Sequence, residues 1–334
     1  MLRYLLKMKR LLSNQLNQKY MKDNYYIGVD IGGTNTKYGL VNEKGEIIFS
    51  GSFNTKSYSN PKDLVNDIYT EYINKSNEQH IKASGIGIGA PNGNFYSGCI
   101  EFAPNLNWGE NIPIANIFCD KFQLPVILTN DANAAAIGEK FFGAAKEMND
   151  FVVLTIGTGL GSGIFANGNI IHGKNGLAGE LGHTIIKESN RKCSCGRIGC
   201  LETYVSSRGI LQTYKEECAS NGREFISEEM TTKEIYNLAL NGDKIAIKTY
   251  KITGEALGCS LANLILILDP EAIFLFGGIA NAHPILIPTI RETINDNVLL
   301  LFKDKVKILP SALLNKNAAI LGSTALFNLK VIRR

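Results

Sequence analysis

Residues 25–53 read YYIGVDIGGTNTKYGLVNEKGEIIFSGSF, and residues 151–173 read FVVLTIGTGLGSGIFANGNIIHG. In both, apolar residues alternate with small or polar ones, and glycines fall where the alternation breaks. Alternation of period two describes a strand with one buried face, and glycine at the break marks a tight reversal. Each stretch therefore reads as a Gly-turned β-meander. Two copies of one plan amount to a weak internal duplication, too diverged for a solenoid array.

Outward from these stretches, helical spacing takes over. PKDLVNDIYTEYINKS (61–76) is a helix behind a Pro start, and IKASGIGIGA (81–90) is a buried strand ended by the turn APNGN. PVILTN (125–130) is a short buried strand running directly into DANAAAIGEKFFG (131–143), an Ala-rich helix closed by Gly143. TTKEIYNLAL opens with a Thr231–Glu234 capping box, and residues 243–268 form a long, increasingly apolar helix. EAIFLFGGIA (271–280) is one more strand ending in a Gly pair, and AAILGSTALFNLK (318–330) is the last helix. Strands alternating with helices in two similar halves predict an α/β protein of two lobes.

At 334 residues the chain exceeds one small core. Its 45% hydrophobic and 20% charged residues are ordinary for a globular protein. A net charge of +4 calls for neither nucleic acid nor membrane as partner. Residues 1–24 interrupt every apolar pair with Lys or Arg, so they lack the apolar run of a signal sequence. They read as a frayed extension. No run approaching the length of a membrane span is evident, and a cytoplasmic location is expected.

DIGGT (30–34) and TIGTGLGSG (155–163) place glycines at strand reversals, where successive backbone N–H groups make a concavity for phosphate oxygens. Neither is a Walker loop or a dinucleotide fingerprint, and each alone is equally a tight hairpin. With Gly277–Gly278 after a third strand, the set points to a nucleotide's phosphates. Asp30, at the end of the first strand, is either a turn cap or a carboxylate beside the Mg²⁺ that accompanies ATP. Asn130 and Asp131 stand at a strand-to-helix junction. There Asp131 is either an N-cap or a hydrogen-bond acceptor projecting into the crevice where α/β proteins bind ligands.

HTIIKESNRKCSCGRIGCLE (183–202) puts His183, Cys193, Cys195 and Cys200 in an H-x9-C-x-C-x4-C spacing. Three thiolates and an imidazole match a closed, tetrahedral structural zinc. Fixing that loop would also fix Glu180, His183 and Glu202, groups suited to a polyhydroxylated ligand such as a sugar.

These motifs together resemble the ROK family (repressor, open reading frame, kinase) of the sugar-kinase and actin superfamily. The most specific part is ELGH…CSCGRIGCLE, supported by DIGGT, NDANAAA, TIGTGLG and FGGIA, and the likeness runs from about Tyr25 to Lys330. The resemblance implies an ATP-dependent hexose kinase with an RNase-H-like, actin-like ATPase fold of two lobes and a central cleft. The smaller lobe would span 25–129, with a helix at 313–330 returning to it. The larger, 130–312, would carry the zinc loop and a dimerisation surface. Asp131 would be the base facing the sugar hydroxyl. Asn105, Asn130, Glu180, His183 and Glu202 would bind sugar hydroxyls, His183 also touching zinc. Gly33, Thr34, Gly157, Thr158 and Gly159 would hold ATP phosphates, with Gly277 and Gly278 near the adenosine. A homodimer is implied.

One departure stands in APNG (90–93), where the family often has Gly in place of Asn92. The resemblance implies that this loop borders the sugar's side of the cleft, so the departure puts substrate preference in doubt. Glucose is the expected hexose, with N-acetylmannosamine, N-acetylglucosamine and fructose as alternatives of the same chemistry. A sugar-responsive repressor is the reading from a different class. It would carry an added DNA-binding domain before the DIGGT lobe, and only 24 residues precede Tyr25 here.

Overall fold

The computed structural model describes residues 24–186, 190–225, 229–314 and 317–329. The extension expected over 1–24 lies, but for Asn24, outside the described residues. The chain forms two compact units. One comprises 1–147, 169–178 and 315–334, the other 148–168 and 179–314.

In the first unit, β1 (Tyr25–Ile31), β2 (Asn35–Asn42) and β3 (Ile47–Asn54) make the expected meander. Helix α1 (Pro61–Gln79) follows, then β4 (Ala83–Ala90), the short β5 (Ile100–Glu101) and β6 (Asn111–Ile112), α2 (Ile114–Phe122) and β7 (Val126–Asn130). The sheet order is β3-β2-β1-β4-β7, antiparallel through the meander and parallel thereafter.

The sequence of β4, ASGIGIGA, explains both faces of this sheet. Ile86, Ile88 and Ala90 join Ile27, Val29 and Ile31 of β1 in a core with Leu64, Ile68 and Phe118 of α1 and α2. The intervening glycines face the other way. A Cβ on Gly87 would lie 1.7 Å from the Ser323 carbonyl oxygen, and one on Gly28 2.3 Å from that of Ile320. The glycine stripe thus lets the C-terminal helix rest directly on the strand backbones. Helix α3 (Asp131–Phe142), which follows β7, meets the same helix where Gly322 faces the Ala134 carbonyl. The larger lobe was expected to begin at 130, yet α3 has its contacts in the first unit. Its Ala and Gly face fits the C-terminal helix.

The second unit repeats the plan. β8 (Phe151–Ile156) and β9 (Leu160–Ala166) form an antiparallel hairpin; β10 (Asn169–Ile170) follows in chain order and counts with the first unit. Helices α4 (Glu202–Val205), α5 (Ser207–Ser220), α6 (Thr232–Leu240) and α7 (Lys244–Leu268) precede β11 (Ala272–Phe276). Then come α8 (His283–Asn297), β12 (Lys307–Pro310) and the returning helix, α9 (Ala318–Ala325). Strand order β9-β8-β11-β12 reproduces β2-β1-β4-β7, hairpin first and parallel strands after. The duplication read in the glycine turns is therefore one of wiring.

Two expectations change in detail. Within the described residues the last helix ends at Ala325 and continues as a 3₁₀ turn over Leu326–Asn328. Helix α7 is long and apolar enough, by length and composition, to cross a membrane, although no such run was expected. Half of its most apolar window is buried inside the unit, and Gly254 and Gly258 bring it against Thr289 and Thr293 of α8, as in a core helix.

The glycine stripe has a measurable consequence. Gly87→Ala would drive a methyl into a helix backbone, where overpacking costs about 1–3 kcal/mol or more. Urea unfolding should show a loss near the upper end of that range, or no folded protein.

Candidate functional site

In the first unit, β1 and β7 run parallel to β4, so their carboxyl ends share one edge of the sheet. Asp30 lies at that end of β1, and the Asn130–Asp131 pair at the end of β7. The capping question resolves on Asn130: its Oδ1 accepts from the Asn133 amide at 2.7 Å. Asp131 is the first helical residue, exposed, with Oδ1 accepting from the Ala132 amide at 2.9 Å. Solvent reaches it, yet enough protein surrounds the carboxyl for desolvation to raise its pKa against the amide hydrogen bonds that lower it.

The Asp30 carboxylate accepts no hydrogen bond among the described residues, so it is not a turn cap. Its pKa is pushed up to about 6, by burial first and then by the charge of Asp131, with Lys37 on the neighbouring strand pulling the other way. Asp30 and Asp131 are thus like charges close enough to oppose one another's ionisation at the carboxyl edge of the sheet.

The DIGGT turn is closed by the Gly32 amide donating to the Asn35 carbonyl at 3.0 Å. A Cβ on Gly33 would come within 2.8 Å of Asn105 Cβ, which brings the glycine turn and Asn105 together. Thr34 and Asn105 are exposed. Asn92 sits at φ 50°, a left-handed conformation that Gly and Asn adopt more readily than other residues. Its Nδ2 donates to the Phe102 carbonyl at 3.0 Å, a tie that glycine would lack.

In the second unit, Gly157–Gly159 form the turn between β8 and β9. Gly277, at φ 100°, packs on the backbone of Ile156, so the Gly pair after β11 lies beside the end of β8. The ELGH segment lies against β9 because Gly182 has no Cβ: one there would meet the Leu160 carbonyl at 2.1 Å.

The ligand atoms of His183, Cys193, Cys195 and Cys200 all lie within 4.8 Å of one another. His183 Nδ1 is 3.6 Å from Cys193 Sγ, and Cys195 Sγ is 3.7 Å from Cys200 Sγ. The other imidazole nitrogen, Nε2, lies 3.9 Å from Glu180. Cys195 is exposed, and although partial desolvation works against ionising it, hydrogen bonds from Arg197 and the neighbouring thiols lower its pKa to about 6. Burial and the adjacent thiols push Cys200 up to about 12.

Glu202 joins the parts. Its Oε1 is 3.7 Å from Cys193 Sγ and its Oε2 accepts from the Leu160 amide at 2.9 Å. The metal-type cluster, the Glu180–His183 pair and the glycine turn are therefore one connected arrangement.

Sequence reasoning missed two supports. Arg191 is a buried guanidinium that donates to the Thr203 carbonyl at 2.9 Å and Thr213 Oγ1 at 3.0 Å, pairs with Glu216, and lies 4.2 Å above the Tyr204 ring. His172 stacks on Phe95 at 4.2 Å, and burial lowers its pKa to about 4. The sequence signal for Arg191 was its place in a loop otherwise small or exposed; His172 left none.

The ROK family model matches residues 26–330. The chain belongs to the ROK family. A glucokinase of Halalkalibacterium halodurans is 35% identical over 81% of this chain and 86% of its own. A xylose repressor of Caldicellulosiruptor bescii is 33% identical over 90% of this chain and 77% of its own, so relatives of both kinds are near. Among solved structures, a ROK family glucokinase from Streptomyces griseus in complex with glucose and AMPPNP shares the fold. Its TM-score is 0.76 at 28% identity, covering 91% of this chain and 99% of the other.

The raised pKa of Asp30 dictates a pH dependence. Its ionisation opposes folding, so the contribution is intact below pH 3.8 and is lost as pH rises through about 6. Asp30→Asn should therefore stabilise the ligand-free protein by up to about 3 kcal/mol at pH 8, since a pKa unit is worth about 1.4 kcal/mol, with little gain near pH 4. Urea titrations at the two pH values measure the difference.

Proposed function

We propose that this ROK-family chain is an ATP-dependent hexose kinase, that glucose is its hexose, and that Asp131 is the base. The observation carrying this reading is the division of labour at the β7–α3 junction. Asn130 caps the helix, which leaves Asp131 exposed at its first turn with a raised pKa. A carboxylate so placed accepts the proton of an attacking hydroxyl, and phosphoryl transfer asks mainly for such positioning. A glucokinase relative and a glucose- and AMPPNP-bound glucokinase of the same fold support the choice of sugar and nucleotide.

In this reading the first unit supplies Asp131, with Asn105 and Asn130 for sugar hydroxyls, Gly33 and Thr34 for phosphates, and Asp30 beside Mg²⁺. The second unit supplies Glu180, His183 and Glu202 to the sugar, Gly157, Thr158 and Gly159 to phosphates, and Gly277 and Gly278 to the adenosine. The protein would act as a cytoplasmic homodimer, and no nucleic acid or membrane is needed.

The Cys/His cluster fits zinc. Metal–sulfur bonds of roughly 2.3 Å and metal–nitrogen bonds of roughly 2.0 Å imply tetrahedral edges of roughly 3.8 Å and 3.5 Å. The sulfur–sulfur and nitrogen–sulfur separations of 3.7 and 3.6 Å are of that size. His183 Nδ1 and the three thiolates would fill all four positions, so the ion would brace the loop and take no part in the transfer.

A sugar-responsive repressor is the second reading, favoured by the xylose repressor relative. ADP release measured with glucose, N-acetylmannosamine, N-acetylglucosamine and fructose separates the readings: a kinase turns over, glucose fastest, whereas a repressor releases none. Asp131→Asn should fold and bind sugar while kcat falls at least ~10²-fold. Near-normal turnover would end the assignment of Asp131. Elemental analysis should find one zinc per chain, and a chelator that removes it should lower the thermal midpoint and weaken glucose binding.

A further inference from the structure

The turn at 157–160 is held at both ends by the segment that follows the cysteine loop. The Gly157 carbonyl accepts two hydrogen bonds from Ser207, one from its amide at 2.8 Å and one from its hydroxyl at 2.9 Å. The Leu160 amide donates to Glu202 Oε2 at 2.9 Å. Inside the turn, the Gly157 amide donates to the Gly159 carbonyl at 3.0 Å. A Cβ on Gly159 would come within 2.6 Å of Glu202 Oε2, so a side chain there would push that carboxylate off the Leu160 amide.

These bonds decide which amides remain for a ligand. In a planar trans peptide the C=O and the following N–H point in opposite directions. A Gly157 carbonyl fixed on Ser207 turns the Thr158 N–H away from α5. A Gly159 carbonyl fixed inward turns the Leu160 N–H out toward Glu202. The amides of Gly157 and Leu160 are thus engaged, while those of Thr158 and Gly159 have no partner among the described residues. Thr158 is exposed, and successive backbone N–H groups left without a protein partner are the kind of donors that receive an anion.

We infer that Ser207 is a positioning residue for nucleotide binding: its hydroxyl orients the Gly157–Thr158 peptide so that the Thr158 and Gly159 amides receive a phosphate. This deepens the kinase reading and rests on it. The role is distinct from sugar recognition, because Ser207 reaches the turn and not the Glu180–His183 pair. It is also distinct from folding: without the hydroxyl the Ser207 amide still tethers Gly157, but one bond in place of two leaves the carbonyl's direction, and with it the Thr158 N–H, less fixed.

The test is calorimetric titration of AMPPNP with Mg²⁺, and separately of glucose, into the full chain and its Ser207→Ala and Ser207→Thr variants. Losing one hydroxyl hydrogen bond should weaken nucleotide binding about 2- to 10-fold. Glucose binding should be unchanged, and Thr should restore the nucleotide affinity. Equal nucleotide affinity in wild type and Ser207→Ala overturns the inference and leaves the kinase reading standing. So does a loss shared equally by both ligands, which marks a general structural role. A wild-type chain that binds no AMPPNP overturns the kinase reading and the inference together.

Discussion

The close approach of helix α9 to the glycine face of β1 and β4 is the contact on which the first unit depends. One face of the sheet carries Ile and Val into an ordinary core, while the other offers bare backbone. A helix resting on backbone has little freedom to slide, because carbonyls and Cα atoms do not change rotamer. Helix α3 is seated against that same helix through Ala134, Gly138 and Gly322. The start of α3, and with it Asp131, is thereby placed relative to the end of β1 and Asp30. Ser323 completes the seat by donating from its hydroxyl to the Val29 carbonyl, one residue before Asp30.

The second unit solves a comparable problem with hydrogen bonds. Its glycine turn is gripped by side chains from the stretch beyond the cysteine loop, and Glu202 reaches both the turn and a thiol. One carboxylate thus ties backbone suited to anions to a cluster suited to a metal. The same Glu202 lies near His183 through their common neighbour Cys193.

Much of this was legible in the sequence, for reasons that differ by element. Period-two alternation marked the strands, and the repeated glycine-broken hairpin marked two similar halves. The four metal-type ligands were readable because their spacing leaves few other uses for them. The junction at 130–131 was ambiguous because Asn and Asp are both good caps, and only the bond to the Asn133 amide separates them. That α3 packs in the first unit was hidden, because an Ala-rich helix does not announce which sheet it will meet. The purpose of the GIGIGA alternation was hidden too, since its partner lies at the far end of the chain. Ser207 left no mark, as a hydroxyl serving a backbone carbonyl looks like any serine. Helix α7 escaped notice as an apolar span because Lys, Thr and Glu dot its first half.

Arg191 separates two events that the cysteine loop would otherwise merge. Its guanidinium is anchored to Thr203, Thr213, Glu216 and the Tyr204 ring, all outside the cluster of thiols. Cys195 at the tip is solvent-exposed while Cys193 and Cys200 are buried, so an oxidant would reach the tip first. None of these partners of Arg191 is a thiol, so chemistry that begins at Cys195 leaves that anchor itself unreacted.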